Sequence, residues 1–106
     1  MAEVHECGHI MTDILIIKNN DGVDAMRHDR YNHVTSTKLI EEAWTVVKNE
    51  YGDNLSIRNA QKDISENATK TESETISEAL VDIFSNGENA KLFSKAIIGI
   101  LDERTR

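Results

Sequence analysis

The segment Asn89 to Glu103, NAKLFSKAIIGILDE, constrains the fold of this chain more than any other. On a helical wheel Ala90, Leu92, Phe93, Ala96, Ile97, Ile98, Ile100 and Leu101 sweep an apolar arc of roughly 240°, where a surface helix needs little more than about 100°. Lys91, Lys95, Gly99 and Asp102 mark a single narrow polar strip. Such a helix has to be covered on most of its sides, by the rest of the chain or by a second copy. Leu92 and Ile98 lie at the two margins of the arc and Leu101 on the face shared with Phe93, Ile97 and Ile100, and Leu92, Ile98 and Leu101 are the candidate residues of a self-association interface. The expected assembly is a homodimer.

Upstream, three further helical segments are expected. Thr35, Ser36 and Thr37 offer N-caps, and Leu39, Ile40, Ala43, Trp44, Val47 and Tyr51 recur at three- and four-residue steps until Gly52 provides a left-handed stop. From Ser56 to Lys70 only Ile57, Ala60, Ile64 and Ala68 hold the period, so a helix there buries a thin stripe. Thr71 and Glu74 have capping-box spacing ahead of the stripe Ile76, Ala79, Leu80, Ile83 and Phe84, which ends at Asn86-Gly87. The short link beyond it predicts an antiparallel pair of helices. Proline is absent, so nothing but glycine punctuates the chain.

The N-terminal third reads differently. Thr12 to Lys18, TDILIIK, is short, apolar and β-branched, and Asn19-Asn20-Asp21-Gly22 follows as a turn cluster. This pattern predicts a strand entering a hairpin, with Val23 to Arg27 as the return strand and 27–34 as a loop. Residues 1–11 carry no clear period and are expected to be a flexible terminus. The fold class expected is therefore mainly α, an α-rich α+β domain spanning 1–106: a strand or β-hairpin followed by three to four helices packed around the C-terminal one.

With 106 residues the chain has the length of one domain. Twelve basic and nineteen acidic side chains leave a formal charge of −7, which repels phosphate backbones and suits a protein partner, a basic one in particular. Direct nucleic-acid binding is not expected. The single cysteine, Cys7, excludes an internal disulfide, and the first twenty residues lack the run of about seven apolar residues that a signal peptide carries, so a cytoplasmic location is expected. The longest apolar run, Ile14 to Ile17, is far short of the roughly 20 residues that span a bilayer.

One motif carries chemistry. His5-Glu6-Cys7-Gly8-His9 fits H-E-x-x-H, which on a helix places two histidines on one face, ready to share a zinc ion, beside a glutamate able to activate water. In those five residues only, the stretch resembles the zinc-peptidase signature. Gly8 weakens a helix, a strand is expected to follow at once, and Glu41, Glu42 and Asp53 carry no pattern marking them as a third ligand. The expectation is thus no cofactor, with zinc at His5 and His9 as the alternative. His28 and His33 are five apart and do not share a helical face. Arg27, His28, Arg30, Tyr31 and His33 form the one basic, aromatic-containing stretch, read as a solvated loop in view of Asp29 and the overall charge.

Glu74, Glu78 and Asp82 stand four apart on the third helix, a carboxylate row that would either face solvent or dock a basic partner. Trp44, at helical spacing, reads as core. The function expected is a small acidic non-enzymatic protein-interaction module, a regulator or a self-associating subunit acting through helical surfaces. Its alternatives are an acidic mimic blocking a nucleic-acid-binding protein and a small zinc-dependent hydrolase using His5 to His9.

Overall fold

Residues 12–17 are not a strand: Thr12 to Ile17 sit inside an 18-residue helix. A computed structural model of the chain describes residues 2–52 and 55–106, and among these there are six α-helices and no strand. They are α1 (Ala2–Asn19), α2 (Val23–Asn32), α3 (Val34–Tyr51), α4 (Ile57–Ile64), α5 (Glu72–Asn86) and α6 (Leu92–Thr105), with 3-10 turns at Asn67–Thr69 and Gly87–Asn89. The fold is mainly α, and the expected N-terminal hairpin gives way to α1 and α2.

The reason is packing. Gly8, Thr12, Leu15 and Ile16 form a continuous buried stripe on α1 that lies against α5. Burying Leu15 and Ile16 is worth about 1.5–3 kcal/mol each, whereas choosing helix over strand costs a β-branched residue only some tenths of a kcal/mol. Apolar side chains on the outer side of α1, at Ile10, Ile14 and Ile17, blur its period and imitate a strand. Residues 2–11, expected to be flexible, form the first half of the same helix.

The turn cluster 19–22 is a turn, but between helices. Asn20 Nδ2 donates to the Ile16 carbonyl at 2.9 Å, closing the end of α1, and Gly22 begins α2 at φ 93°. The stretch 23–32, expected as return strand and loop, is α2. One residue, His33, links it to α3 at φ 54°, in the left-handed region. Asp29, buried on α2, receives the Thr35 N–H at 2.9 Å and Asn20 Nδ2 at 2.7 Å, and so caps α3 from the neighbouring helix. Burial pushes its carboxyl up, yet the hydrogen bonds from Thr35 and Asn20 outweigh that and hold it below the usual range.

Further along, α4 opens on Ser56, whose hydroxyl receives the Asn59 N–H at 3.2 Å, and α5 on Thr71, which does the same for Glu74 at 3.1 Å. The core gathers Leu39, Ile40, Ala43 and Val47 from α3, Ile76 and Ala79 from α5, and Phe93, Ile97 and Leu101 from α6. The centre is shared: α5 packs on both α1 and α6, α3 packs on α6, and α1 and α6 also touch. Trp44 packs its ring 5.7 Å from that of Phe93, edge to face, and 5.7 Å from that of Tyr51. Tyr51 then accepts the Phe93 N–H on its hydroxyl at 3.0 Å. No helix among the described residues is long and apolar enough to cross a membrane.

Candidate metal centre

Gly8 sets the crossing of α1 and α5. A Cβ placed there would lie 2.6 Å from the Ser77 Cα, so only hydrogen fits and the two backbones meet almost directly. His5 and His9 flank Gly8 on α1, and Glu74 and Glu78 flank Ser77 on α5. Two pairs with i, i+4 spacing are thereby brought face to face.

The contacts are short and mutual. His9 Nε2 lies 3.0 Å from Glu74 Oε1 and 3.1 Å from His5 Nε2, while His5 Nε2 lies 3.1 Å from Glu74 Oε2. On the other edge of its ring, His5 Nδ1 meets Glu78 Oε2 at 2.9 Å. A carboxylate can only accept, so a proton on Nδ1 donates to Glu78 and a proton on Nε2 donates to Glu74; both are present in the imidazolium, and losing the Nε2 proton leaves a lone pair facing Glu74 and His9. Outer partners hold the acids: Ser65 Oγ donates to Glu78 at 2.8 Å, and Asn67 Nδ2 donates to Glu74 at 2.6 Å. The stretch between α4 and α5 therefore serves as a back wall.

Electrostatics follows from this geometry. Partial burial lowers the basicity of His5, but the hydrogen bond to Glu78 and the charges of Glu74 and Glu78 outweigh it, and the imidazole is held above its ordinary value of 6.5. Glu74 and Glu78 thus set a negative potential across the two imidazoles. His5, His9 and Glu74 each offer one ligand atom, all within 4.8 Å of one another. Around a tetrahedral zinc ion with bonds of about 2.0–2.2 Å, neighbouring ligand atoms are about 3.3–3.6 Å apart; the two Nε2 atoms stand 3.1 Å apart, and each meets a different oxygen of Glu74. The four side chains are 18–30 % exposed, shielded and still reachable from solvent.

The carboxylate that meets the two histidines is Glu74, not one of those nearer in sequence. Glu41 is exposed on α3, Glu42 pairs with Arg104, and Asp53 lies outside the described residues. Glu6 is exposed beside the cluster, bordering an open depression with Ala2, His5, Glu78 and Val81. His28 hydrogen-bonds Asn32 on its own helix and His33 forms the α2–α3 link, so neither joins His5 and His9.

The carboxylate row is not a solvent-facing ridge. Glu74 and Glu78 turn toward α1, and buried Asp82 accepts the Lys91 N–H at 2.8 Å and Asn86 Nδ2 at 2.7 Å, which caps the start of α6. Of the three interface candidates on α6, Leu101 is fully buried in the chain's own core, Ile98 is half-buried and Leu92 is exposed. Leu101 has no surface left for a second chain. Ser65 and Asn67 carry no sequence signal. The matching spacing of His5/His9 and Glu74/Glu78 is a signal, but it becomes one only when α1 is known to pack on α5. Comparison with protein-family models, with curated proteins and with solved structures found no match.

Proposed function

We propose that this protein is a small helical interaction module whose α1–α5 pair is locked by a divalent transition metal, zinc being the best fit. His5 Nε2, His9 Nε2 and a Glu74 oxygen would hold the ion, and Glu78 would orient His5 from behind, as carboxylates do for metal-bound imidazoles. The observation that carries the reading is the convergence of both Nε2 atoms on one carboxylate, with Glu78 2.9 Å from the other ring nitrogen of His5. Two nitrogens and one oxygen suit zinc, with cobalt and nickel as usable substitutes. The mimic of nucleic acid loses its support, since the row on which it rested is engaged inside the chain.

A hydrolase remains the second reading because three protein ligands leave a coordination position free and Glu6 stands next to His5. The depression beside Glu6 is open and shallow, which favours a non-enzymatic role. A partner protein and a cytoplasmic setting belong to the same proposal.

Calorimetric titration of metal-free protein with zinc tests it. One ion per chain is expected, with affinity lost in His9→Ala and Glu74→Ala, weakened about 10–100-fold in Glu78→Gln, and unchanged in His28→Ala. Binding should strengthen as pH rises, because the proton on His5 competes with the ion. At a zinc concentration of 100 times Kd the fold gains about 2.7 kcal/mol, visible as a higher Tm. Equal zinc binding by wild type and Glu74→Ala would end the proposal.

A further inference from the structure

We propose that Asn86 is a site of spontaneous self-modification, at which the side-chain amide is lost through a succinimide with Gly87 and the resulting acid undoes the cap of α6. Asn86-Gly87 is the one Asn-Gly pair of the sequence, and both residues are exposed at the end of α5. Ring closure depends on the residue that follows, because its backbone nitrogen is the nucleophile and glycine puts no Cβ in the way. The surroundings are open as well: a Cβ placed on Gly87 would meet nothing within 4 Å. The Gly87 nitrogen attacks Asn86 Cγ, the new C–N bond forms as the Cγ–Nδ2 bond breaks, and the Gly87 amide proton departs with Nδ2 as ammonia. Water then opens the ring. Attack at Cγ leaves aspartate, and attack at the backbone carbonyl leaves isoaspartate, whose chain runs through Cβ and Cγ; water is the only co-reactant and nothing is oxidised or reduced.

In the folded chain three latches hold the reaction back. Asn86 Nδ2 donates to Asp82 Oδ1 at 2.7 Å, the Gly87 N–H donates to the Ile83 carbonyl, and the Asn86 backbone stands at ψ −11°, which keeps the Gly87 nitrogen away from the side-chain carbonyl. All three open together when the last turn of α5 frays, and helix ends are where such opening costs least. The product then opposes re-closure. A carboxylate at position 86 offers Asp82 no donor and sets a second negative charge against it, at a helix C-terminus that already disfavours anions. Asp82 is buried, and its other oxygen receives the Lys91 N–H at 2.8 Å, so repulsion at position 86 reaches the start of α6. None of this depends on the metal site, whose carboxylates Glu74 and Glu78 lie on earlier turns of α5.

Peptide mapping by mass spectrometry of the full folded chain, incubated in mildly alkaline buffer, tests the proposal. The peptide holding Asn86 should gain about 1 Da and one negative charge ahead of every other asparagine peptide, with part of it as isoaspartate, while Asn86→Gln, whose longer side chain closes a ring far more slowly, stays unmodified. Asp82→Ala releases one latch and should speed the reaction about tenfold or more, the factor a charge-assisted hydrogen bond contributes. Isomerisation at Asp21-Gly22, the one Asp-Gly pair, should keep its wild-type rate in that variant, which separates local fraying from general unfolding. Asn86→Asp, which is one of the two products, should melt about 4–8 °C below wild type with its helicity retained in the cold. An Asn86 peptide that reacts no sooner than the other asparagines overturns the proposal. Equal rates at Asn86 in wild type and Asp82→Ala, or an acceleration shared by Asp21-Gly22, would remove the latch, and an Asn86→Asp chain that melts with wild type would remove the consequence for α6.

Discussion

A single methyl group at position 8 would meet the Ser77 Cα at 2.6 Å, so buried Gly8 has no room for a side chain. In an isolated helix Gly8→Ala is worth about 1 kcal/mol of stabilisation. Here overpacking against backbone costs about 1–3 kcal/mol, and α1 must also move away from α5. Denaturant unfolding of Gly8→Ala should therefore show a net loss of stability, together with weaker zinc binding as the histidines recede from Glu74. A gain in stability would mean that the helices do not cross this closely. From the sequence Gly8 counts against a helix, since propensity describes the residue by itself and close approach involves two. Glu74 was equally ambiguous: a carboxylate opposite an apolar stripe is what any exposed helix face shows, and only the neighbour tells a ligand from a solvated acid.

At the scale of elements, α3, α4 and α5 were legible because each has apolar positions of helical period and a stop or cap in its sequence, and α6 because its apolar arc is so wide. Thr71 caps α5 as its spacing predicts. The reciprocal half of the capping box is spent, for Glu74 turns to His9 and Asn67 instead of its own cap. What the sequence hid was α1 and α2. The apolar side chains of α1 point both inward and outward, so no stripe stands out, and α2 has a single buried residue, Asp29. Nor was the cap of α6 legible, since Asp82 lies on the preceding helix. Burial pushes the Asp82 carboxyl up, but Asn86 and the backbone N–H and charge of Lys91 hold it below its ordinary value of 3.8. A depressed carboxylate stabilises the fold fully above the unfolded value and loses that contribution as pH falls through the folded one. Asp82→Ala should thus cost about 1 kcal/mol at neutral pH, the usual worth of a cap. Its deficit against wild type should shrink below pH 3.8, toward the depressed folded value; thermal melts across that window provide the check. A deficit constant with pH would mean that the Asp82 charge does not hold α6.

For the whole molecule, the sequence identified a mainly helical chain with a heavily buried C-terminal helix, but not which helices touch. The packing of α1 on α5 joins the two ends of the fold, and the His5–Glu78 hydrogen bond spans 73 positions of sequence. Individual helices form in about a microsecond from local contacts, whereas closing a chain of this length waits on the loss of loop entropy. The two events should separate in time. In stopped-flow refolding with cobalt present, helical ellipticity should appear first and the visible absorption of a cobalt–imidazole centre after it, with the lag lengthened by Gly8→Ala. His5, His9 and Glu74 would then be a clasp that closes last, and a coloured ion in it would time the moment at which the first helix reaches the rest of the chain.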